Sequence, residues 1–207
     1  INRFQCDPRW SHMNGESSNS LASLWTKYRF KGDFCVEFYA GIRHGWYERS
    51  GDLNLTMMSP DMFTGNGYTA ICTGWDPDQS QLYSWLYRNG QVLAQSDRYL
   101  VPRFREGNVR RKREPIIATG RDIHGAWYYA KFRRIGKKME YYFDNELVFR
   151  VIDDAPLPEG RAGIWTFMES MMVARVKIAA TEIIPGRIAS TTATETLALE
   201  SPSTQRS

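Results

Sequence analysis

Hydrophobic and polar residues alternate along much of the chain between residues 20 and 183, and short turn sequences separate the alternating segments. The clearest region runs from Trp127 to Ile183, where three short segments of this kind are divided by tight-turn residues. Because successive side chains of a strand point to opposite faces, the pattern predicts a β-meander with one buried face and one solvent-facing side.

The same alternation predicts strands upstream of this region. In the second of them, Phe34, Val36, Phe38 and Ala40 fall on one face. The dipeptide Asn89-Gly90 tolerates positive φ and marks a two-residue hairpin turn. No convincing long amphipathic helix is present, and residues 1–20 are polar with no strand predicted. The predicted strands are 21–30, 34–40, 52–58, 67–73, 83–88, 91–95, 127–134, 139–143, 147–152, 162–167 and 172–182.

About a dozen short strands at this spacing favour an all-β fold, a two-sheet antiparallel β-sandwich. We expect the sandwich domain to span residues 1–184, with a long basic loop at about 98–122. Residues 185–207 are rich in Ser, Thr, Ala and Pro and have few apolar anchors. We expect this low-complexity tail to become ordered on a partner.

The composition fits one sandwich domain. The chain has 207 residues, 42% hydrophobic and 14% aromatic, so ring side chains are available both for a core and for a binding surface. No apolar run is long enough to cross a bilayer. The first residue is Ile1 rather than Met, which we interpret as a processed or partial product whose targeting cannot be judged from its start.

Positive charge is concentrated in one place. The segment 103–114 has six cationic and two acidic residues, an excess equal to the net charge of +4 of the whole chain. Such a cluster is either a solvated loop or a contact for an anionic partner, whereas nucleic acid is disfavoured because no groove-reading element accompanies it. The candidate partner-binding residues are Arg103, Arg105, Arg110, Arg111, Lys112 and Arg113.

Cysteine and histidine spacing does not indicate a metal site or an attached haem. Cys35 and Cys72 lie in apolar, strand-like segments and are expected to be buried thiols, while the redox state of Cys6, Cys35 and Cys72 is left open. Asp76 and Asp78 flank Pro77, which favours a turn, with a pair of calcium ligands as the weaker alternative. No other cofactor is indicated.

Several of these segments resemble the concanavalin A-like lectin/glucanase jelly rolls, a superfamily that includes laminin-G-like modules and family 16 glycoside hydrolases. The resemblance covers residues 20–183 and rests on early and late segments of the chain. It implies a jelly-roll β-sandwich but does not decide the function, because such sandwiches include lectins, hydrolases and adhesion modules. The matching features are Leu24-Trp25, the Gly32-Asp33-Phe34 step into a Glu-bearing strand, Trp127, Arg133 or Arg134 before Gly136, Tyr142–Asn145, Pro156–Ile164 and the closing strand 173–183.

A glycoside hydrolase of this superfamily needs two carboxylates on one strand, and the Glu-x-Asp-x-(x)-Glu pattern is absent. Acidic residues occur singly on the predicted strands, at Glu37, Asp52, Glu140 and Glu182. We therefore predict no catalytic residue and disfavour an enzyme.

Aromatic side chains near strand ends offer a binding alternative, since sugar rings stack on exposed Trp and Tyr faces. Tyr83 and Trp85 share one face of their strand, so both are buried or both are presented. The alternative for these rings is that they fill the core. The glycan-binding candidates are His44, Trp46, Tyr47, Trp75, Tyr83 and Trp85.

These observations favour a non-catalytic binding module in an extracytoplasmic location, periplasmic or secreted. It would act as an accessory subunit that docks to partner proteins of a larger assembly, or it would bind a glycan on its concave face. The alternative from another class is a carbohydrate-active hydrolase or lyase with an unrecognised site.

Overall fold

The computed structural model describes residues 2–7, 12–17, 21–42, 53–75, 82–96, 127–167 and 170–186, with side chains for 13, 21–41, 53–71, 84–96, 127–167 and 171–186. Throughout these ranges the regular structure is β-strand. The thirteen strands are β1 (Asn2–Asp7), β2 (His12–Ser17), β3 (Leu21–Trp25), β4 (Arg29–Ile42), β5 (Asn54–Ser59), β6 (Tyr68–Trp75), β7 (Leu82–Arg88), β8 (Gln91–Ser96), β9 (Tyr128–Ile135), β10 (Lys138–Phe143), β11 (Glu146–Ile152), β12 (Glu159–Phe167) and β13 (Ser170–Ile184).

The strands form two antiparallel layers. One layer has seven strands in the order β1-β2-β13-β4-β9-β10-β11, and the other has six in the order β3-β12-β5-β6-β7-β8. Strand β12 belongs to both layers. Glu159 and Gly160 pair with β4, whereas Gly163 to Phe167 pair with β3 in the other layer. The predicted two-sheet antiparallel sandwich is confirmed.

The core lies between the layers and follows from the alternation of the strands. Phe34, Val36, Phe38 and Ala40 of β4 are all buried in it, as predicted. They pack with rings from β9 and β10, including a stacked Phe34–Phe132 pair whose centroids are 5.8 Å apart. Burial of this apolar surface is the main force that holds the layers together.

Two hairpin turns show the conformation that their residues favour. Asn89 and Gly90 between β7 and β8 have φ of 48° and 78°. Asp144 and Asn145 between β10 and β11 have φ of 46° and 67°. Two successive positive φ values match the twist of antiparallel strands, which explains why Asx and Gly occupy these positions.

The continuous strand predicted for 21–30 is wrong, because the chain changes layer between β3 and β4. At this crossing Arg161 Nη1 donates to the carbonyls of Thr26 and Lys27, at 3.0 and 2.6 Å. Strands β1 and β2 were not predicted, since their polar residues give no alternating pattern. The basic loop at 98–122 and residues 187–207 of the tail lie outside the described residues.

The glycines of the segment 160–163 let neighbouring parts of the chain approach β12 closely. Strand β12 already begins at Glu159. A Cβ on Gly160 would come within 2.1 Å of the backbone of Met58, so only glycine lets the two strands meet there.

Candidate functional site

The outer face of the six-stranded sheet has an uncharged surface built from cross-strand rows of side chains. Paired residues of antiparallel strands project from the same face, so the register defines each row. One row runs from Trp25 on β3 to Val92 on β8, and its neighbour starts at Ser23. The first row is Trp25, Gly163, Thr56, Thr69, Tyr87 and Val92. The second includes Ser23, Trp165 and Asn54, and on the far strands Ile71, Trp85 and Gln95.

Trp25 lies against the backbone of β12 because Gly163 has no side chain. A Cβ at Gly163 would come within 2.6 Å of the indole. The Trp25 Nε1 donates to Ser23 Oγ at 3.0 Å, which fixes the orientation of the ring along its own strand. The ring is half-buried, so part of it faces outwards.

The second indole is anchored by a hydroxyl network at the centre of the sheet. Trp165 Nε1 donates to Thr56 Oγ1 at 3.0 Å, and the hydroxyls of Thr56 and Thr69 are 2.9 Å apart. Thr69 Oγ1 also donates to the carbonyl of Thr64 at 2.5 Å. Trp165, Thr56 and Thr69 are all buried, so the network forms a rigid floor rather than a mobile surface.

The β5–β6 loop folds back over this floor. Ser59 Oγ donates to the carbonyl of Phe63 at 3.0 Å, and Asp61 accepts from Asn66 Nδ2 at 2.7 Å. Desolvation works to raise the pKa of Asp61, but hydrogen bonds from Asn66, the Phe63 backbone and Ser59 outweigh it, and the pKa is lowered. The loop thereby presents Met62 and Phe63 to solvent.

Asn54 is the unusual residue of the floor. Its side chain is 0% exposed, yet neither Nδ2 nor Oδ1 has a hydrogen-bond partner among the residues that the structure describes. It pairs across the strands with Trp165 and lies on the same outer face. Buried amides in native proteins are nearly always hydrogen-bonded, so this carboxamide is an exception to the usual pattern.

The glycan candidates from the sequence fall partly on this face. Trp85 is on β7, half-buried, and paired with Ile71 in the second row. Tyr83 and Trp75 lie on β7 and β6, but their side chains are outside the described set. His44, Trp46 and Tyr47 lie outside the described residues. So do the candidate calcium ligands Asp76 and Asp78 and the partner candidates Arg103, Arg105, Arg110, Arg111, Lys112 and Arg113.

Sequence reasoning missed Trp25, Asn54, Thr56 and Thr69 as residues of this outer face. Each lies on a predicted strand, but its position on this face depends on contacts with strands that are distant in sequence, such as that of Trp25 with Gly163. The available signal was the alternation Ser23-Leu24-Trp25, which puts Ser23 and Trp25 opposite the apolar face.

The outer face of the seven-stranded sheet is charged instead. Glu140 accepts from Arg133 Nε and Nη2 at 2.6 Å and from Arg150 Nε at 2.8 Å. Desolvation works to raise the pKa of Glu140, but hydrogen bonds from these arginines and the nearby charges of Arg133 and Lys138 lower it to about 2.

A second carboxylate, Glu37, lies on the neighbouring row of the same face. Lys131 Nζ is 3.6 Å from Glu37 Oε1. Desolvation raises the pKa of Tyr129 to about 12, and its hydrogen bond to Glu37 adds to the shift. Glu37 and Glu140 are each held by cations, an arrangement that suits fixed anions rather than a proton donor and its nucleophile.

Cys35 corrects one expectation. It is a free, half-buried thiol on this charged face, with Sγ 3.7 Å from Glu37 Oε1, not a core residue. Partial burial raises its pKa. The side chains of Cys6 and Cys72 are outside the described set.

Within the described ranges, no three His, Cys, Asp or Glu side chains are grouped as a metal site would require. Over the same ranges, no helix has the length and apolarity to span a membrane.

Solved structures share this architecture. The carbohydrate-binding module CBM66 from Bacillus subtilis has a TM-score of 0.58 and 17% identity, with 87% of this chain and 92% of that chain covered. The exoplasmic/lumenal domain of VIP36, in a Ca²⁺/Man3GlcNAc-bound form, has a TM-score of 0.56 and 10% identity, with coverages of 86% and 81%. The carbohydrate recognition domain of Emp46p, in a metal-free form, has a TM-score of 0.55 and 11% identity, with coverages of 84% and 84%.

No protein-family model matches the sequence, and comparison with curated proteins gives no match. The structural similarities therefore concern the fold. They confirm that the chain has the concanavalin A-like jelly-roll fold that the sequence resembled.

Proposed function

We propose that this chain is a carbohydrate-binding module and that its site is the outer face of the six-stranded sheet. The observation that carries the proposal is a set of half-buried rings, Trp25, Trp85 and Tyr87, on an uncharged floor in which Trp25 lies over Gly163 and the buried Trp165 is hydrogen-bonded to Thr56. Rigid rings beside fixed hydroxyls are what a sugar requires, because its C–H patches stack on rings while its hydroxyls need hydrogen-bond partners.

The chemistry of the two rows favours a neutral sugar. Their described side chains are indole, phenol, hydroxyl, amide and aliphatic groups, and none is charged. Asn54 adds a carboxamide with both a donor and an acceptor unmatched. Asn54 is 0% exposed, so a sugar hydroxyl would pair with it only after the residues that cover it move; such pairing would offset the cost of its desolvation, about 1–3 kcal/mol for an unsatisfied buried polar group.

The structural similarities support this proposal. CBM66 is described as a carbohydrate-binding module and the Emp46p domain as a carbohydrate recognition domain. The VIP36 domain is described as exoplasmic or lumenal, which supports an extracytoplasmic location for this chain as part of the same proposal. The alternative of docking to an assembly rested on the basic loop, the tail and the absence of a carboxylate pair; the basic loop and residues 187–207 lie outside the described residues.

The direct test is a panel of neutral oligosaccharides followed by titration of each hit. Trp25→Ala and Trp85→Ala should each weaken binding at least tenfold, about 1.4 kcal/mol. The matched control is Tyr39→Ala, which removes an exposed ring from the opposite sheet and should leave the affinity unchanged. If the folded parent protein binds no neutral oligosaccharide, the proposal is wrong.

A further inference from the structure

The charged outer face of the seven-stranded sheet carries a second inference, independent of the sugar site. Six cations lie on neighbouring rows of β9, β10, β11 and β13. Among the described side chains, Glu37 and Glu140 lie between them, and Asp33 and Asp144 lie in the rows of Lys138 and Arg175. The described side chains of these rows therefore have an excess of two positive charges, six cations against four carboxylates, and none of the six belongs to the basic cluster at 103–114. The cations are Lys131, Arg133, Lys138, Arg150, Arg175 and Lys177.

The single carboxylate of Glu140 fixes the orientation of Arg133 and Arg150 but cannot neutralise the charge of all the cations around it. Its carboxylate is 1% exposed and touches three cations, with Lys138 Nζ at 3.7 Å beside Arg133 and Arg150. Arg133 uses Nε and Nη2 for this carboxylate, and Nη2 also donates to Tyr142 Oη at 3.2 Å. No described contact involves Arg133 Nη1. Because Arg150 remains 58% exposed, guanidinium N–H groups are held in place yet open to solvent.

A second positive centre lies two residues along the strands. Lys177 pairs across β13 and β4 with Glu37, and Lys131 approaches the same carboxylate from β9. Alternate residues of one strand are about 7 Å apart, so the two centres are neighbours on one face. Tyr39 and Tyr129 border them, with ring centroids 5.4 Å apart, and Arg175 covers Tyr39 at 5.9 Å.

We propose that this face binds an acidic polysaccharide, one that carries carboxylate or sulfate groups on a hydroxyl-rich backbone. Guanidinium groups with fixed orientation bind such planar or multidentate anions through paired hydrogen bonds. Glu37 and the tyrosines supply acceptors and ring faces between the cations, which suits a polymer whose charges are separated by hydroxyls. A duplex nucleic acid carries one negative charge per about 1.7 Å. Some of its phosphates would therefore lie next to Glu37 and Glu140 and be repelled by them.

The test uses polymers with one backbone and different charge. The full chain should bind carboxymethyl-dextran and dextran sulfate at low salt and should not bind uncharged dextran. Arg150→Gln, and separately the double variant Lys131→Gln with Lys177→Gln, should each weaken binding at least threefold and make it less sensitive to salt. The matched control is Lys137→Gln, which removes one charge of equal exposure at the β9–β10 turn and should have no effect.

Three kinds of outcome on this face would overturn the proposal. Unchanged binding in Arg150→Gln and in the lysine double variant would place the contact elsewhere, the segment 103–113 included. Equal binding to poly-L-glutamate would show that sugar hydroxyls contribute nothing. Preference for duplex DNA, or for vesicles of phosphatidylcholine and phosphatidylserine in equal amounts, would assign the face to another class of partner. Loss of neutral-sugar binding alone would concern only the other sheet.

Discussion

The indole of Trp25 occupies the space that a side chain at residue 163 would fill, since a Cβ on Gly163 would come within 2.6 Å of the ring. A single glycine on β12 thus determines where an aromatic ring of β3 lies. The consequence can be tested without removing any ring or hydrogen-bonding group.

Gly163→Ala should push the Trp25 ring off β12 and lower the affinity for a neutral oligosaccharide at least threefold. It should also lower the free energy of unfolding by about 1–3 kcal/mol, as overpacking does. Titration and urea denaturation measure the two effects. Gly136→Ala is the control, because Gly136 has φ of 57° with no atom near its missing Cβ. It should cost about 1–2 kcal/mol of stability and leave affinity unchanged.

Asn54→Leu should change the free energy of unfolding and the affinity for neutral sugar in opposite directions. Replacing an unpartnered buried carboxamide by an apolar side chain of similar size removes an uncompensated desolvation cost, so the free energy of unfolding should rise by about 1 kcal/mol. The same change should weaken neutral-sugar binding at least fivefold if the carboxamide meets the ligand. A destabilised variant with unaltered affinity would show that Asn54 has a structural partner and no contact with sugar.

Glu140 should make the free energy of unfolding fall as the pH becomes acidic. Its pKa is lowered from 4.5 to about 2 in the folded protein, so its contribution is complete above about pH 4.5 and is lost as the pH falls towards 2. Glu140→Gln should reduce the free energy of unfolding at neutral pH by about 2 kcal/mol, and the difference from the parent should shrink over that acidic range. Denaturation at a series of pH values measures it.

Glu146→Gln is the control for that series. Glu146 is exposed at the start of β11, and no ion pair is described for it. Its substitution should change stability by less than about 0.5 kcal/mol at neutral pH. A pH profile of Glu140→Gln parallel to that of the parent would contradict the assignment.

Tyr68 should clamp one end of the sandwich through its hydroxyl. Tyr68 Oη donates to Asp153 Oδ2 at 2.6 Å in a buried bond and accepts from the Leu157 amide at 2.8 Å in a part-buried one. Tyr68→Phe should therefore cost about 1–3 kcal/mol, because it removes one donor to the buried Asp153 carboxylate, which keeps Arg88 Nε at 3.1 Å, and the described acceptor of the Leu157 amide. Tyr87→Phe should change stability by less than about 0.5 kcal/mol, since no hydrogen bond is described for the Tyr87 hydroxyl. Equal losses in both variants would contradict the clamp.

The alternation of apolar residues was sufficient to predict the strands and the buried face, as Phe34 to Ala40 of β4 illustrate. Local turn chemistry was sufficient for Asn89-Gly90. The position of Trp25 was not predictable in this way, because its environment depends on β12, which is distant in sequence. The pairing of Glu140 with Arg150 likewise depends on the β10–β11 register, which alternation alone leaves undetermined.

Strand β12 pairs with β4 at Glu159 and Gly160 and with β3 from Gly163 onwards, so one segment is shared by both layers. Neither layer can therefore separate from the other without breaking the backbone hydrogen bonds that β12 makes in one of the two sheets. Heat should melt this domain in a single calorimetric transition, and fragments cut on either side of β12 should regain structure only when mixed together.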